Sequence, residues 1–480
     1  MAIGASDCPI RPRSVLRGSR QHEQLVLGGV DVMPRKEAGA AEPVKKAGSF
    51  RRLGALGVAT ALCTSLAACG GASNTINWFV NTPHSDQYQM IASACEKSSN
   101  DAYKINIVLL PFLADGQREE LVRLLSSHNP MVDVINVDPP WQPELANAGW
   151  LQPFTEAQKS ELLDGVLEAP IESAMWKGKL YGAPWEANTQ LLWYRKSVAA
   201  EAGVDPTAET FTWEEMLAAA LRTGTTIAAQ GNKDESFAVW VNAMILSAGG
   251  QVLEHNEDGR NATAAIDSAE GRKAAALIHQ VAISKAATPT LSTSQEEDSR
   301  HAFKQPDGGF MVNYPYVYTY LMLDVQTGEL DEDFIDDLAW APYPRILADQ
   351  PSKPPLGGNN LAISRFSTKK HLAYQFVKCA VSPESEKRNL LVNRTPAANG
   401  TVYDDPEVRT AIPMADLMRQ SINAGGPRPV TPFYRDISAA IQQTWHPPTA
   451  IQPKTTPAKS ADLINNVLHN AATTAGRPTT

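Results

Sequence analysis

Short apolar runs and helical patterns alternate along the chain from residue 76 onward. Strands are predicted where β-branched and aromatic residues are concentrated, at 76–80, 104–110 and 132–137. Helices are predicted between them, at 86–97 and 116–127. In the second helix Leu121, Leu124 and Leu125 recur at helical spacing. This order of strand, helix, strand, helix and strand predicts an α/β fold with a largely parallel sheet.

The same alternation continues toward the C-terminus. Further strands are predicted at 180–183, 189–195, 308–314, 338–344 and 361–364. Further helices are predicted at 237–247, 270–287, 369–382 and 460–471. Another helix is predicted to begin after Thr212, because Glu215 lies three residues later and completes a capping box.

The first 68 residues differ in charge from the rest of the chain. They contain 10 basic and 5 acidic residues, and a basic cluster at 45–52 precedes a run of small and apolar residues at 53–68. A positive segment, a short apolar segment and small residues before a cleavage position are the parts of a secretory signal peptide. We therefore predict a signal peptide over residues 1–68.

The signal peptide ends in Leu-Ala-Ala-Cys, which resembles the bacterial lipobox. In that motif the cysteine is acylated and becomes the new N-terminus, so we expect lipidation of Cys69, a polar tether at 69–75 and a location on the outer face of the cytoplasmic membrane. The alternative is a buried cysteine that follows an apolar helix. Residues 1–44 are long for a basic segment, so translation from Met33 also fits the sequence, and the paired arginines leave open a general or a twin-arginine export route.

Composition and charge exclude several classes of protein. The chain has 480 residues, of which 43% are hydrophobic, so it can bury substantial cores and is neither a disordered chain nor a collagen-like repeat. No apolar run reaches the roughly 20 residues of a membrane span, which excludes a multi-span membrane protein. The net charge of −9 provides no basic surface for nucleic acid, so no nucleic-acid partner is expected.

The five cysteines support export. Processing removes the first two and acylates the third, which leaves only Cys95 and Cys379. In an oxidising compartment such a pair favours a disulfide, and the alternative is two separate buried thiols. The sequence has no CxxC motif and no Cys/His spacing that suits zinc, so no metal is expected.

The motifs of common enzyme classes are absent from the sequence. It has no GxSxG, HExxH or Walker A motif and no GxGxxG after a predicted strand, and its nine histidines are scattered. Adjacent carboxylates such as Glu119 and Glu120 point apart on a helix, which favours solvated surface over an acid–base pair. We therefore predict no catalytic residues and no cofactor.

Aromatic, amide and carboxylate residues are concentrated at the ends of predicted strands. Four such clusters lie at 138–141, 185–188, 313–316 and 357–360. Sugars have apolar faces that stack on aromatic rings and hydroxyls that bind carboxylates, amides and guanidinium groups. Because ligands of open α/β sheets bind at the carboxyl ends of strands, the four clusters together predict a sugar site, although a single tryptophan is more often a core residue.

Several segments resemble the sugar-binding proteins of ATP-driven importers over residues 74–480. These segments are GKLYGAPW at 178–185, NTQLLWYRK at 188–196, AGWL at 148–151, TWEE at 212–215 and GGFMVN at 308–313. Others are similar to the narrower group of actinobacterial trehalose-binding lipoproteins, namely GGPRPVTPFY at 425–434, DVINVDPPW at 133–141, WVN at 240–242 and GGNNLA at 357–362. Close relatives of that group bind maltose-type and other α-glucosides.

The resemblance implies the type II periplasmic-binding-protein fold, in which two α/β lobes enclose the sugar. Carried onto this chain, lobe one comprises 74–184 and 354–395, and lobe two comprises 188–344 and 400–480. Crossing segments, which act as hinges, are expected near 184–188, 342–354 and 396–400. Cys95 and Cys379 then both fall in lobe one, which agrees with a disulfide between them.

The resemblance also implies the function and the site. It implies a monomeric, lipid-anchored receptor that binds trehalose or a related α-linked glucose disaccharide and delivers it to the membrane permease subunits of an importer. Asp138 would accept hydrogen bonds from one glucose, Arg428 would donate to the other, and Tyr314 would stack where relatives often have tryptophan. The expected ligand-binding residues are Asp138, Asn188, Tyr314, Gly358 and Arg428, with Trp240, Trp141, Asn81 and Gln117 as weaker candidates.

Two other functions fit the residues. One is a receptor of the same fold for maltose or maltodextrin. The other is a secreted glycosidase, which needs two carboxylates that flank a sugar, and Asp138 with Glu186 are the candidates.

Overall fold

The computed structural model describes residues 74–81 and 85–470. The strands are β1 (Thr75–Val80), β2 (Lys104–Leu109), β3 (Val134–Val137), β4 (Met175–Trp176), β5 (Lys179–Leu180), β6 (Gly182–Asn188), β7 (Leu191–Arg195), β8 (Thr226–Ala228), β9 (Leu253–Glu254), β10 (Thr263–Ala264), β11 (Gly308–Asn313), β12 (Leu338–Ala341) and β13 (Gly357–Ile363). The predicted signal peptide and Cys69 lie outside the described residues.

Helices connect these strands and cover the sheets. They are α1 (Ser85–Ser98), α2 (Ala114–Ser126), α3 (Gln142–Asn147), α4 (Glu156–Leu162), α5 (Glu168–Ser173), α6 (Lys196–Ala202), α7 (Trp213–Thr223), α8 (Glu235–Ser247), α9 (Ala269–Ile283), α10 (Glu296–Phe303), α11 (Tyr316–Thr327), α12 (Glu332–Asp337), α13 (Lys370–Ala380), α14 (Pro383–Asn393), α15 (Pro406–Ala411), α16 (Ala415–Ala424), α17 (Tyr434–Trp445) and α18 (Thr456–Asn470). None of the helices in the described part of the chain is long and apolar enough to cross a membrane.

Two sheets organise the fold, one in each lobe. The five-stranded sheet of lobe one has the order β2-β1-β3-β13-β6, and the four-stranded sheet of lobe two has the order β12-β7-β11-β8. In lobe one β1 is parallel to β2 and β3, whereas β13 is antiparallel to β3 and β6. In lobe two β11 is parallel to β8, but β7 is antiparallel to β11 and β12.

The first three strands are parallel, as their order predicts, but the expectation of a largely parallel sheet was wrong for each sheet as a whole, since both are mixed. The reason is the crossing of the chain between lobes. After lobe two is built, residues 357–363 return to lobe one and insert β13 between β3 and β6, against the direction of both. Local sequence patterns report only the order of elements, so they do not predict this long-range insertion.

Each lobe buries an aromatic core. In lobe one the Trp78 ring packs edge-on against Trp185 and Phe376, with centroids 5.5 and 5.0 Å apart. In lobe two Trp213 packs against Trp240 at 5.8 Å and against Tyr343 at 5.8 Å. Fully burying an aromatic or aliphatic side chain stabilises by about 1.5–3 kcal/mol, so these clusters fix the helices onto each sheet.

The predicted capping box and disulfide are both present. The Thr212 hydroxyl accepts from the Glu215 N–H at 3.1 Å, and the Glu215 carboxylate accepts from the Thr212 N–H at 2.8 Å, so α7 begins where the sequence predicts. Cys95 on α1 and Cys379 on α13 form a disulfide with their Cα atoms 5.8 Å apart. The bond joins α1 to α13, two helices of lobe one whose cysteines are 284 residues apart in sequence.

Candidate ligand-binding site

Strand ends from both sheets meet beside one short crossing segment. In lobe one the register places the carboxyl ends of β3 and β6 and the amino end of β13 at the same edge, because Val137 pairs with Asn360 and Asn188 pairs with Gly357. In lobe two Asn313, at the end of β11, pairs with Leu191 at the start of β7. Only two residues, 189 and 190, separate β6 from β7, so the two edges adjoin and form one cleft.

An ion pair between Asp138 and Arg428 joins the lobes across this cleft. Asp138 directly follows β3, and Arg428 lies between α16 and α17. The guanidinium donates to both carboxylate oxygens, from Nη2 to Oδ1 at 2.5 Å and from Nη1 to Oδ2 at 3.1 Å. The structure thus brings the two principal predicted residues into direct contact, with the Arg428 side chain only 8% exposed.

Glu235, which the sequence analysis missed, is the second anionic partner of Arg428. Its Oε1 atom accepts from Arg428 Nη1 at 2.8 Å and from the Tyr434 hydroxyl, and its Oε2 atom accepts from the Ser438 hydroxyl at 2.6 Å. Glu235 is the first residue of α8, where Asp234 caps the helix. An acidic residue in a first helical turn is common, so no sequence pattern indicates that Glu235 contacts Arg428, which is 193 residues away.

The electrostatics of this cluster keep Arg428 charged. Burial alone would lower the pKa of Arg428, but the neighbouring Asp138, Tyr434 and Glu235 outweigh it and raise the pKa well above its usual value. Burial raises the pKa of Glu235, against the opposing charge of Arg428 and the hydrogen bond from Ser438. A single guanidinium therefore holds carboxylates from opposite lobes.

Tyr314 lies in the same cleft, half-buried at the end of β11. Its N–H donates to Asn313 Oδ1 at 2.8 Å, which fixes the turn out of the strand. Burial raises the pKa of Tyr314, and the charges of Glu296 and Asp138 raise it further, whereas Arg428 lowers it. Tyr314 is thus within electrostatic range of carboxylates from both lobes.

Glu296 is a further cleft residue that the sequence analysis missed. It starts α10, and its carbonyl accepts from Asn313 Nδ2 at 2.9 Å, so α10 is fixed to the cleft end of β11. Glu296 is exposed when the whole residue is considered. Desolvation of its carboxyl group nevertheless raises the pKa of Glu296 to about 7, together with the charges of Glu297 and Asp234.

Gly358 is required by the neighbouring strand. It has φ +113°, and a Cβ atom built there would lie 1.9 Å from the Glu186 carbonyl oxygen on β6. Glycine therefore allows β13 to approach β6 at the cleft edge, whereas Gly358 was expected only as a ligand-binding residue. Asn188, at the end of β6, uses its Oδ1 atom to accept from the next N–H in the chain, at 3.0 Å.

Asn81 is held at the same edge of lobe one. Its Nδ2 atom donates to Asn359 Oδ1 at 2.9 Å, and Asn359 Nδ2 donates to a Glu186 carboxylate oxygen at 2.6 Å. The Oδ1 atom of Asn81 is buried and has no hydrogen-bond partner within the described ranges, so it remains available as an acceptor.

The remaining candidates are buried more deeply. Trp240 is 1% exposed and packs on Trp213 in the core of lobe two, so in this conformation it does not line the cleft. Trp141 is 6% exposed in the core of lobe one, where Val430 from lobe two packs against the same cluster. Gln117 is 6% exposed, and its Nε2 atom donates to the Phe112 carbonyl at 3.1 Å.

Trp185 was also expected at a strand end. It lies instead within β6 and is fully buried in the lobe-one core, where it packs on Trp78. A single sequence does not separate a tryptophan that stacks on a ligand from one that fills a core, since both occur in apolar strand segments.

Two surface pockets lie away from the Asp138–Arg428 pair. One, of about 290 Å³, is formed by the crossing at 342–354 with α16 and residues 206–211. The other, of about 640 Å³, lies beside the disulfide. Within the described ranges no group of three or more His, Cys, Asp or Glu residues is arranged to hold a metal ion.

Comparisons with known proteins identify the family. The family model of bacterial extracellular solute-binding proteins matches residues 83–387. The diacetylchitobiose binding protein DasA of Streptomyces coelicolor is 24% identical over 396 residues, which are 76% of this chain and 86% of that protein. A probable ABC transporter-binding protein of Deinococcus radiodurans is 22% identical over 72% of this chain and 80% of its own length.

Solved structures share the fold. Maltose-bound MalE3 of T. maritima superposes with a TM-score of 0.70 at 22% identity, covering 83% of this chain and 99% of its own. The GacH receptor of Streptomyces glaucescens, solved unliganded and with acarbose, superposes with a TM-score of 0.69 at 21% identity, covering 82% of this chain and 98% of its own. The expected two-lobed α/β architecture is therefore confirmed. The chain therefore belongs to the family of bacterial extracellular solute-binding proteins, which is a family of binding proteins and not of enzymes.

Proposed function

We propose that this chain is the lipid-anchored receptor of an ABC importer, and that it binds trehalose or a related α-linked glucose disaccharide between its lobes and delivers it to the permease. The observation that carries the proposal is the contact of Arg428 with Asp138 on lobe one and Glu235 on lobe two. Groups from both lobes meet at one point, so a ligand held there is bound best when the cleft is closed.

The chemistry of the cleft supports a sugar ligand. A carboxylate has about four lone-pair positions, so Asp138 can accept hydrogen bonds from sugar hydroxyls while some of these positions accept from Arg428. Tyr314 offers an aromatic face, and Asn81 offers a buried acceptor. The named relatives bind diacetylchitobiose, maltose or acarbose, which supports a carbohydrate and leaves its linkage to experiment.

The choice of trehalose rests on segments 133–141 and 425–434, which carry Asp138 and Arg428. A maltose or maltodextrin receptor is the second candidate, favoured by the maltose-bound structural neighbour. A glycosidase has less support, because Asp138 is engaged by Arg428 and Glu186 by Asn359, so neither carboxylate is placed as a free acid or nucleophile.

Lobe boundaries and ligand residues follow from the same proposal. We assign lobe one to 74–184 and 354–395, and lobe two to 188–344 and 400–480. Asp138, Arg428 and Tyr314 are the principal ligand residues, and Glu235 and Glu296 join them on the strength of their position.

The anchor is part of the proposal and has its own test. Residues 1–68 are removed, Cys69 is acylated, and the monomeric receptor stays on the outer face of the cytoplasmic membrane. In cell fractionation, Cys69→Ala should release the protein from membranes or leave an unprocessed precursor. Unchanged processing and membrane retention would reject the anchor.

Calorimetry against a panel of disaccharides tests the ligand. The mature chain should bind trehalose with one site per monomer and bind maltose and sucrose more weakly. Tighter binding of maltose would favour the second candidate. Chromatography of the same mixtures should show intact sugars, and released glucose would instead indicate a glycosidase.

A further inference from the structure

A buried carboxyl group, Glu386, lies beside the crossing segment at 396–400. Glu386 is on α14 and is 1% exposed. Its Oε2 atom accepts from the Asn399 N–H at 2.8 Å, and the neighbouring Ala398 N–H also donates to the carboxyl group. The other oxygen, Oε1, is buried without a hydrogen-bond partner within the described ranges. Glu386 therefore positions the backbone of this crossing segment through one carboxylate oxygen, while the other oxygen makes no hydrogen bond to the described residues.

A chain of hydrogen bonds connects this crossing with the ligand cleft through Glu186. The Ala187 N–H donates to the Pro396 carbonyl at 3.0 Å, which joins two crossing segments. Asn389, one turn after Glu386 on the same face of α14, donates to Glu186 Oε1 at 3.5 Å. Glu186 Oε2 in turn accepts from Asn359 at 2.6 Å, and Asn359 accepts from Asn81 at the cleft edge.

The surroundings of Glu386 favour its protonated form. Burial raises the pKa of Glu386 well above its ordinary value, and the charge of Glu186 raises it further, although the N–H groups of Asn399 and Ala398 oppose both. No Lys, Arg or His in the described part of the chain lies within 4.0 Å of the carboxyl group. Isolated charges are costly in such an environment, and this cost favours the neutral, protonated carboxyl group over the carboxylate.

The other titratable groups around Glu386 and Glu186 are two tyrosines and a lysine that forms ion pairs with other carboxylates. Tyr403 faces Glu386 from the segment that follows the crossing, and its hydroxyl donates to the Ala397 carbonyl at 3.0 Å. Tyr88 on α1 faces Glu186. Lys387, the next residue of α14, is bound instead by Asp405 at 2.8 Å and by Glu407 at 2.9 Å. None of these groups supplies a cation to Glu386.

We propose that Glu386 is a positioning residue whose proton links closure of the cleft, and hence sugar affinity, to pH. When Glu386 is protonated, it keeps its hydrogen bond to the crossing segment at 396–400 and does not repel the Glu186 carboxylate. When it loses its proton to solvent, two carboxylates repel each other, Glu186 is displaced from Asn359, and the Asn81 edge of the cleft loosens. Affinity is therefore highest when Glu386 is protonated and falls as pH rises through its folded-state pKa. The inference rests on the proposed function.

Glu386→Gln tests the link, because the amide mimics the protonated carboxyl group. Trehalose affinity is measured by calorimetry from about pH 5 to about pH 9, a range that includes the values known for buried glutamates. The wild type should lose affinity with rising pH, by at most about tenfold per pH unit for one linked proton. Across the whole pH range, Glu386→Gln should keep the affinity that the wild type shows at its acidic end. Glu384→Gln, an exposed neighbour on the same helix, should follow the wild-type profile.

A second variant and a second readout separate the possible failures. The second variant is Glu186→Gln, which removes the charge of Glu186, and the second readout is a thermal melt. Superimposed profiles of Glu386→Gln and the wild type would overturn the link alone. If the wild type binds no sugar at any pH, the proposed function fails and the link fails with it.

The charge of Glu186 raises the pKa of Glu386, so its removal lowers that pKa and moves the midpoint of the profile to lower pH. It also shrinks the loss of affinity, because no second carboxylate remains to repel Glu386. If the midpoint of the pH profile does not move and the loss of affinity is as large as in the wild type, repulsion between the two carboxylates is not the cause. A thermal melt of each variant shows whether it is folded.

Discussion

Replacing Arg428 with alanine removes the side chain that joins Asp138 to Glu235 across the cleft. Arg428 donates two hydrogen bonds to Asp138 and one to Glu235, and a hydrogen bond to a charged group contributes about 1.5–3 kcal/mol. If closure on a sugar depends on even one of these contacts, affinity should fall by about tenfold to more than a hundredfold, since about 1.4 kcal/mol corresponds to a factor of ten. Calorimetry of Arg428→Ala with trehalose measures the loss.

The thermal stability of Arg428→Ala in the absence of sugar is a second quantity that the structure predicts. Removing one partner from a buried ion pair costs about 3–5 kcal/mol when the other charge stays buried. Opening of the lobes exposes Asp138 and Glu235 to water, so we expect a smaller loss in a thermal melt of Arg428→Ala. A loss of the full size would mean that the lobes do not separate.

Arg435 offers a matched control, because it also crosses the cleft. It lies 3.5 Å from Glu119 on α2, but the two side chains are 42% and 63% exposed. An exposed ion pair contributes about 0–1 kcal/mol, so Arg435→Ala should weaken trehalose binding by no more than about fivefold. If Arg428→Ala binds trehalose as tightly as the wild type, or if Arg428→Ala and Arg435→Ala lose the same amount of affinity, Arg428 does not have the role proposed for it.

Three further predictions concern stability. Replacing Cys95 and Cys379 with serine should lower the free energy of unfolding by about 2–5 kcal/mol in a denaturant titration, because the disulfide closes a long loop, and an unchanged midpoint would contradict this. Gly358→Ala should lower the melting temperature, since its Cβ atom would lie 1.9 Å from a carbonyl oxygen of β6, and an unchanged melt would show that β13 can shift. The raised pKa of Glu296, about 7, means that its contribution to stability is full below about pH 4.5 and is lost as pH rises to about 7. Glu296→Gln should remove this slope from melts across that range, and an identical slope would reject the assignment.

Much of the fold follows from local sequence patterns. The helix after Thr212 begins as its capping box predicts, and the first two strands of the described residues, β1 and β2, have nearly the predicted bounds. The helix predicted at 270–287 ends earlier, at Ile283. Helix α14 was missed even though Ser382 caps it and Pro383 occupies its first turn, a recognised start signal.

The candidate site was predictable only in part. Asp138 and Arg428 carried a resemblance in their flanking segments, and the structure brings them together. Glu235 had no such signal, because its role arises from a contact between elements distant in sequence. Trp240 looked like a ligand platform, but packing between α8 and α7 buries it, and packing partners are not visible in a single sequence.

A crystal structure of the mature chain with trehalose tests the central claim most directly. We expect one disaccharide between the lobes, with hydroxyl groups of one glucose within hydrogen-bond distance of the Asp138 carboxylate, the other glucose next to Arg428, and Tyr314 against a sugar face. A sugar bound outside the cleft, with Asp138 and Arg428 contacting only protein groups, would contradict the account.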